Sequence, residues 1–529
     1  MLTYVRQPFI KKQSISLMLL FFILIIPQSV NAHALLEKAT PTPNNQILSS
    51  PKEIVLLFNE RLEDELYSIK VFNNRGESIS KSKTELSVDQ KQLSQNLPSL
   101  ANGTYTVSYS VLSADGHPVK GSYMISIGEV SDKINTPQQD VSKAEGSILN
   151  FIVRIIYFIA LLLVTGWIMW GTVSKVILLQ SQKVRRTNRK WVICLLSFFF
   201  LANIGFGYVQ FSGLLDSWNL GELISLLFGT TIGITWLASM LLSFVGFFIL
   251  LRHTWVDRAW AFILLAAKSI NGHSMAYDPR LITVSLDLIH LLAAAIWAGG
   301  LLYILIYWKK HDEHSGQFLR IFSKAALFSI VILIVTGSIL SFIFLPKLPY
   351  VLYTQWGKYL LAKVGLVFLI ILLGSILRHY LTKKNEYMIG KLMKVDFALM
   401  ILILCIVGIF TYLSPLPENK PFAWHEQDGN IGFTANISPK IPGTNTFMVE
   451  ASSDKAEIKM KRIELILKNK DNPEVAPIQI PFPDYEQAPS VHYMIDGPYL
   501  PFAGNWTVEI RILDSDDNEM VYRKDFVVY

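Results

Sequence analysis

The feature that most limits this chain is a series of eight apolar runs, at about 148–172, 191–213, 223–251, 259–271, 281–307, 325–345, 357–377 and 395–413. A bilayer core of about 30 Å takes roughly 20 helical residues, and most of the runs are that long; the fourth is short. Hydrocarbon offers no water to backbone N–H and C=O groups, so such runs must be helical. The loops between them alternate in charge. "SKVILLQSQKVRRTNRK", "RHTWVDR", "KKHDEHSGQFLRIFSK" and "RHYLTKKNEYMIGKLMK" are rich in Lys and Arg, whereas "DSWNLGE", "NGHSMAYDPR" and "PKLPYVLYTQWGK" carry few. Positive loops stay cytoplasmic, so the pattern predicts eight spans with both chain ends outside. Dropping the short fourth run would break the alternation. The same distribution explains the formal charge of +7 without nucleic acid as a partner.

Residues 1–32 have the layout of a secretory signal: Arg6, Lys11 and Lys12, then the apolar "SLMLLFFILIIP", then "QSVNA". An uncleaved first helix is the alternative. Cleavage after Ala32 makes His33 the N-terminus. Its α-amine and imidazole Nδ1 can chelate one metal, and two coplanar nitrogens suit Cu(II). The amine titrates near neutrality, so a metal can displace its proton.

Residues 33–130 read as a soluble β domain. "KEIVLLFNERL", "YSIKVFN", "GTYTVSYSVLS" and "GSYMISIGEV" alternate or run apolar, and Asn, Gly, Ser and Pro separate them. Between the last two lies "SADGHPVKG". In extended backbone Asp115 and His117 share a face, and with His33 they would make a set of three nitrogens and one oxygen. The plainer alternative is a turn with an exposed histidine. Residues 131–147 are polar and read as a linker.

Within the spans, ionisable groups are costly and therefore functional candidates. The fifth, "LITVSLDLIHLLAAAIWAGGLLYILIYW", carries Asp287 and His290 on one helix face. "NGHSMAY" sets His273 and Met275 just before it. Imidazole, carboxylate and thioether suit a copper relay; structural hydrogen bonding between helices is the alternative. "WAGG", Trp297 to Gly300, reads as a close-packing site, and Arg154, Lys358 and Lys363 as snorkelling or paired. Cys194 and Cys405 sit in apolar runs and read as small buried residues, with no disulfide framework or metal motif. The chain has no GxxxxGK phosphate loop and no HExxH zinc motif.

After "YLSPLPENKP", residues 418–529 form a second β segment. "GFTANISP", "NTFMVEAS", 458–469, "NWTVEIRILDS" and "YRKDFVVY" read as strands. His425, His492, Met448 and Met494 could assist copper there or fill surface and core roles.

"HALLEKATPTPN", "IVLLFNERLE" and "YSVLSADGHPVKGSYMISI" resemble the CopC copper-binding family from His33 to about Ile127. The resemblance implies a Cu(II) site of His33, Asp115 and His117. The methionine-rich Cu(I) site of some members is not carried over, because Met124 is the one methionine of this segment. "GHSM", "DLIHLLAAAIWAGGL" and "WGKYLLAKVGL" resemble the CopD copper-resistance membrane family over about 150–415. The C-terminal segment resembles YtkA-like β domains.

The expected fold is a multi-domain membrane protein: an N-terminal CopC-like β-sandwich, an eight-helix CopD-like transmembrane bundle over 148–413 and a C-terminal Ig-like β-sandwich. A CopC–CopD fusion implies copper passage across the cytoplasmic membrane, most often uptake, and no enzyme. Its partners are the copper ion and the bilayer, with copper chaperones at the cell surface as candidates. A membrane-anchored copper buffer or resistance protein and a copper-dependent redox protein are the alternatives. Anchoring alone needs one span, not eight with a polar mouth.

Overall fold

The structure is a computed structural model that describes residues 36–41, 46–73, 75–80, 82–114, 116, 118–128, 148–177, 182–215, 219–308, 315–345, 348–383, 385–415, 417, 421–428, 431–453, 459–472, 474–482 and 488–529. The expected signal, the linker, His33, Asp115 and His117 fall outside the described residues.

Two four-stranded sheets build the N-terminal domain. One runs β1 (Leu36–Thr40), β3 (Glu53–Phe58), β6 (Gln92–Asn96), β5 (Glu85–Leu86). The other runs β2 (Gln46–Ile47), β8 (Pro118–Ile127), β7 (Gly103–Leu112), β4 (Ser68–Phe72). The two-residue period of strands points alternate side chains inward. Ile54, Leu56 and Phe58 of β3 thus meet Val107, Tyr109 and Val111 of β7 in one core. β7 and β8 pair from Gly103↔Ile127 to Leu112↔Pro118. The β7–β8 hairpin closes around Gly116, which takes φ +96°, a region that favours glycine.

The helical part contains α1 (Ile148–Ile177), α2 (Gln182–Ser212), α3 (Leu220–Gly229), α4 (Thr231–Ile249), α5 (Thr254–Ser269), α6 (His273–Ala276), α7 (Arg280–Trp308), α8 (Ser315–Phe344), α9 (Tyr350–Tyr353), α10 (Gln355–Thr382) and α11 (Glu386–Phe410). Among the described residues seven of these, α1, α2, α4, α7, α8, α10 and α11, are long and apolar enough to cross a membrane. The fourth expected span is α5, 16 residues long and about 24 Å at 1.5 Å per residue. It still makes a passage. α4 and α7 both begin against the N-terminal domain, as shown below, so α5 must carry the chain back. Trp260, Ala261, Leu264 and Leu265 of α5 are buried, so protein shields much of this short helix.

The third expected span is split. Thr230 interrupts the run and caps α4, its Oγ1 accepting from Gly233 N at 3.0 Å, so α3 is a separate short helix. The "WAGG" stretch packs as expected. A Cβ on Gly299 would lie 2.3 Å from the Gly166 carbonyl carbon, so α1 and α7 touch backbone to backbone. Cys405 is buried as expected; Cys194 is instead exposed on α2.

The C-terminal segment is a separate compact unit, 417–529. One sheet is β14 (Ser490–Leu500), β11 (Gly443–Ser453), β10 (Ile431–Ser438), β9 (Phe422–Asp428). The other is β13 (Ile478–Gln479), β12 (Met460–Asn469), β15 (Gly504–Asp514), β16 (Glu519–Val528). Phe433, Phe447 and Val449 of the first sheet share a core with Leu465, Trp506 and Ile510 of the second, which makes it a β-sandwich.

Candidate functional site

The hairpin turn of the N-terminal domain lies beside the segment "NERLEDE". Glu63 N donates to Leu112 O at 2.8 Å, Ala114 N donates to Arg61 O at 2.9 Å, and Ser113 Oγ donates to Glu60 Oε1 at 2.8 Å. These two neighbours form the surface that meets the bundle. A Cβ on Gly116 would sit 3.1 Å from both Gln210 Nε2 on α2 and Ile232 Cδ1 on α4. Gly116 of the β7–β8 hairpin is therefore packed directly on helix ends.

Polar and apolar contacts hold that seat. Glu63 Oε2 accepts from Thr231 N, the first residue of α4, at 3.1 Å, a carboxylate placed where a helix N-terminus favours negative charge. Arg61 Nη2 donates to Asp278 Oδ1 at 2.8 Å and to Oδ2 at 3.1 Å, and Arg280 Nη2 donates to Gln90 Oε1 at 3.1 Å. Leu112 packs with Phe211, Leu226 and Ile232. Glu63 is 4% exposed. Burial pushes its carboxyl up to about 7, against the opposing hydrogen bond from Thr231.

Behind this surface lie the residues expected to relay copper. His273 opens α6, half-buried, its ring centroid 6.3 Å from that of Phe344. Met275 follows on the same short helix, also half-buried. Asp287 on α7 feels the charges of Lys268, Lys363 and His273. His290, one turn further on, bonds through Nδ1 to Thr336 Oγ1 at 2.8 Å. Thr336 donates its own hydroxyl hydrogen to Ile332 O at 2.7 Å. Its oxygen must then accept from His290, which puts the proton on Nδ1 and leaves the Nε2 lone pair available. An imidazole held in this way by an outer partner is oriented as metal-binding histidines are.

The four relay candidates are not gathered into one cage. Among the described residues no group of three or more His, Cys, Asp or Glu side chains could hold a metal ion together. The sequence reading missed three residues here. Lys268, on α5, is buried, donates to Asn271 O at 2.6 Å and lies 5.5 Å from the Phe158 ring centroid. Asp396, on α11, is buried with Oδ1 unbonded. Glu63 is the third. The signal for the first two was available: each is a charged residue in or beside an apolar run. Arg154 is paired as expected, donating to Thr411 O at 2.8 Å.

A β-sandwich seated on one end of a multi-pass helical bundle defines a membrane protein with a built-in extramembrane domain. Residues 36–128 match the CopC domain and residues 316–410 match copper resistance protein D. Both domains stand in one chain, the arrangement of a CopC–CopD fusion. The copper transport protein CutJ of Bacillus subtilis (strain 168) is 26% identical over 560 residues, 95% of this chain and 97% of that protein. Protein YobA of Escherichia coli (strain K12) is 39% identical over 105 residues, 20% of this chain and 85% of YobA. The crystal structure of CopC from Methylosinus trichosporium OB3b is 28% identical and covers 19% of this chain and 99% of that one, with a TM-score of 0.18. The copper resistance protein D match begins at α8, so "WGKYLLAKVGL" lies inside it, and His273, Met275, Asp287 and His290 lie before it.

Proposed function

We propose that this chain is a copper transport protein serving uptake and copper homeostasis. The His33 amine and imidazole, Asp115 and His117 capture Cu(II) outside the cell. Copper then passes across the cytoplasmic membrane by way of His273, Met275, Asp287 and His290. In this reading residues 1–32 are removed to free the His33 amine, and both chain ends face outward, as the Lys/Arg-rich loops imply. The observation that carries the proposal is the packing of Gly116 against Gln210 and Ile232. It supports a capture turn seated on the bundle rather than on a tether. A buffer that merely needs an anchor gains nothing from such a seat. The full-length likeness to a protein named for copper transport supports the same reading.

The test uses two variants of the full chain. One extra Ala before His33 is expected to abolish tight Cu(II) binding and change the EPR spectrum, and with it copper accumulation. His290→Ala is expected to leave Cu(II) capture intact while accumulation falls. Unchanged Cu(II) binding after the Ala insertion refutes the capture site. Unchanged accumulation in His290→Ala cells refutes passage through that residue and favours the anchored buffer.

A further inference from the structure

The sheet β14-β11-β10-β9 of the C-terminal domain carries unusual side chains on its outward face. In the β11–β14 register Met448 stands opposite Met494, and Glu450 stands opposite His492. Positions two apart on a strand share a face, so these two pairs are neighbours. On the next strand Asn436 lies opposite Met448. The other face is the core: Phe447, Val449 and Ala451 of β11 and Val491 and Tyr493 of β14 are buried there. The two methionines are thus turned away from the core that would use their bulk. Beside them, Asn436 Oδ1 is buried with no hydrogen-bond partner.

Residues directly opposed across an antiparallel pair have Cβ atoms about 5 Å apart, and diagonal neighbours about 7 Å. Two long, flexible thioether side chains and one imidazole at those spacings can close on a single ion. Thioethers are soft ligands and select Cu(I); Cu(II) prefers nitrogen and oxygen in tetragonal array. His425 lies on the same face but three strands from His492, about 14 Å at the spacing of a sheet. It bonds Thr434 Oγ1 at 3.1 Å instead.

We propose that Met448, Met494 and His492 form a Cu(I) site on the C-terminal domain, with Glu450 beside it supplying a compensating negative charge. The site is separate from the Cu(II) capture residues and does not depend on them. Monovalent copper arriving at or leaving the outer surface is its ligand, and Ag(I) is its redox-inert substitute.

The experiment takes the full chain in detergent, labelled with 13C-methyl methionine, and titrates it with Ag(I). Competition against a chromophoric Cu(I) chelator runs in parallel. The methyl signals of Met448 and Met494 are expected to shift together at one equivalent. The double variant Met448→Leu/Met494→Leu, which conserves volume, is expected to hold one Cu(I) fewer than the wild type. Losing a ligand should cost at least what losing an outer partner costs, roughly 10–100-fold in affinity. His492→Asn is expected to weaken the site by that factor. If the double variant unfolds, the single leucine variants carry the comparison. Unshifted Met448 and Met494 signals, or equal Cu(I) content and affinity in wild type and variants, overturn the proposal. The Ala insertion before His33 leaves this readout unchanged, so the two proposals fail independently.

Discussion

Glu63 joins the N-terminal domain to a transmembrane helix through Thr231 N. Its carboxyl is raised from 4.5 to about 7. The docked state therefore favours the protonated form, and ionisation opposes docking. The sign follows directly. Docking is strongest below about pH 4.5, weakens as pH rises through about 7, and is level above that. Each tenfold change in proton affinity is about 1.4 kcal/mol, so the full span is about 3 kcal/mol, roughly two orders of magnitude in the docking equilibrium. The Thr231 N–H keeps an acceptor in either state, so the effect comes from removing a charge from water and not from a lost hydrogen bond.

Glu63→Gln isolates this cause, because the amide oxygen can still accept from Thr231 while no charge is left to bury. Hydrogen exchange at the backbone amides of Thr231 to Ile234 and of Arg61 to Leu66 reports opening of the seat. After correction for intrinsic exchange, wild-type protection is expected to fall at least 10-fold between pH 5 and 8. In Glu63→Gln it is expected to stay level and, at pH 8, to exceed the wild type. A wild type that shows no pH dependence, or a Gln variant that keeps it, refutes the argument.

Two further substitutions test the bundle. Thr336→Val removes the acceptor that holds the His290 Nδ1–H; copper affinity measured in detergent is expected to drop roughly 10–100-fold, with Thr336→Ser restoring it. Gly299→Ala forces a methyl against the Gly166 backbone and is expected to cost about 1–3 kcal/mol, seen as a lower Tm in detergent.

Much of the fold can be read in the sequence because hydrophobic periodicity was intact where it mattered. β3, β7, β8, β10 and β15 all alternate with apolar side chains turned inward. The strands that escaped reading break that rule for identifiable reasons. β6 turns Gln95 inward, 1% exposed, its Nε2 donating to Ser82 O at 2.7 Å and its Oε1 accepting from Thr84 at 2.7 Å. A buried polar side chain satisfied by partners far along the chain looks like a surface residue to hydropathy. β14 places His492, Met494 and Asp496 outward and contains Gly497-Pro498, which reads as a loop. The split between α3 and α4 was hidden for another reason. Thr230 caps a helix within an unbroken apolar run, and Glu63, the other group at that helix end, lies 168 positions away. The proposed capture residues are visible as a motif, His33 with Asp115 and His117, whereas the seat of Gly116 on the bundle depends on contacts that no local pattern encodes.

The charges around the proposed relay bear on which copper ion passes. Lys268 feels Arg154 and Asp287, and Asp287 also feels Lys363. His290 faces Lys363 as well. An entering cation thus meets three basic side chains, Lys268, Arg154 and Lys363, and one carboxylate, Asp287. Two unit charges about 6 Å apart at an effective dielectric near 20 repel by about 3 kcal/mol, and a divalent ion doubles every such contribution. The Nε2 of a neutral imidazole at His290 and the thioether of Met275 add no negative charge to offset it, and both are ligands that Cu(I) accepts. In the proposed route, Cu(II) captured by amine, imidazole and carboxylate on the β domain and Cu(I) passed among imidazole and thioether in the bundle would join only with one electron per ion from a reductant outside this chain.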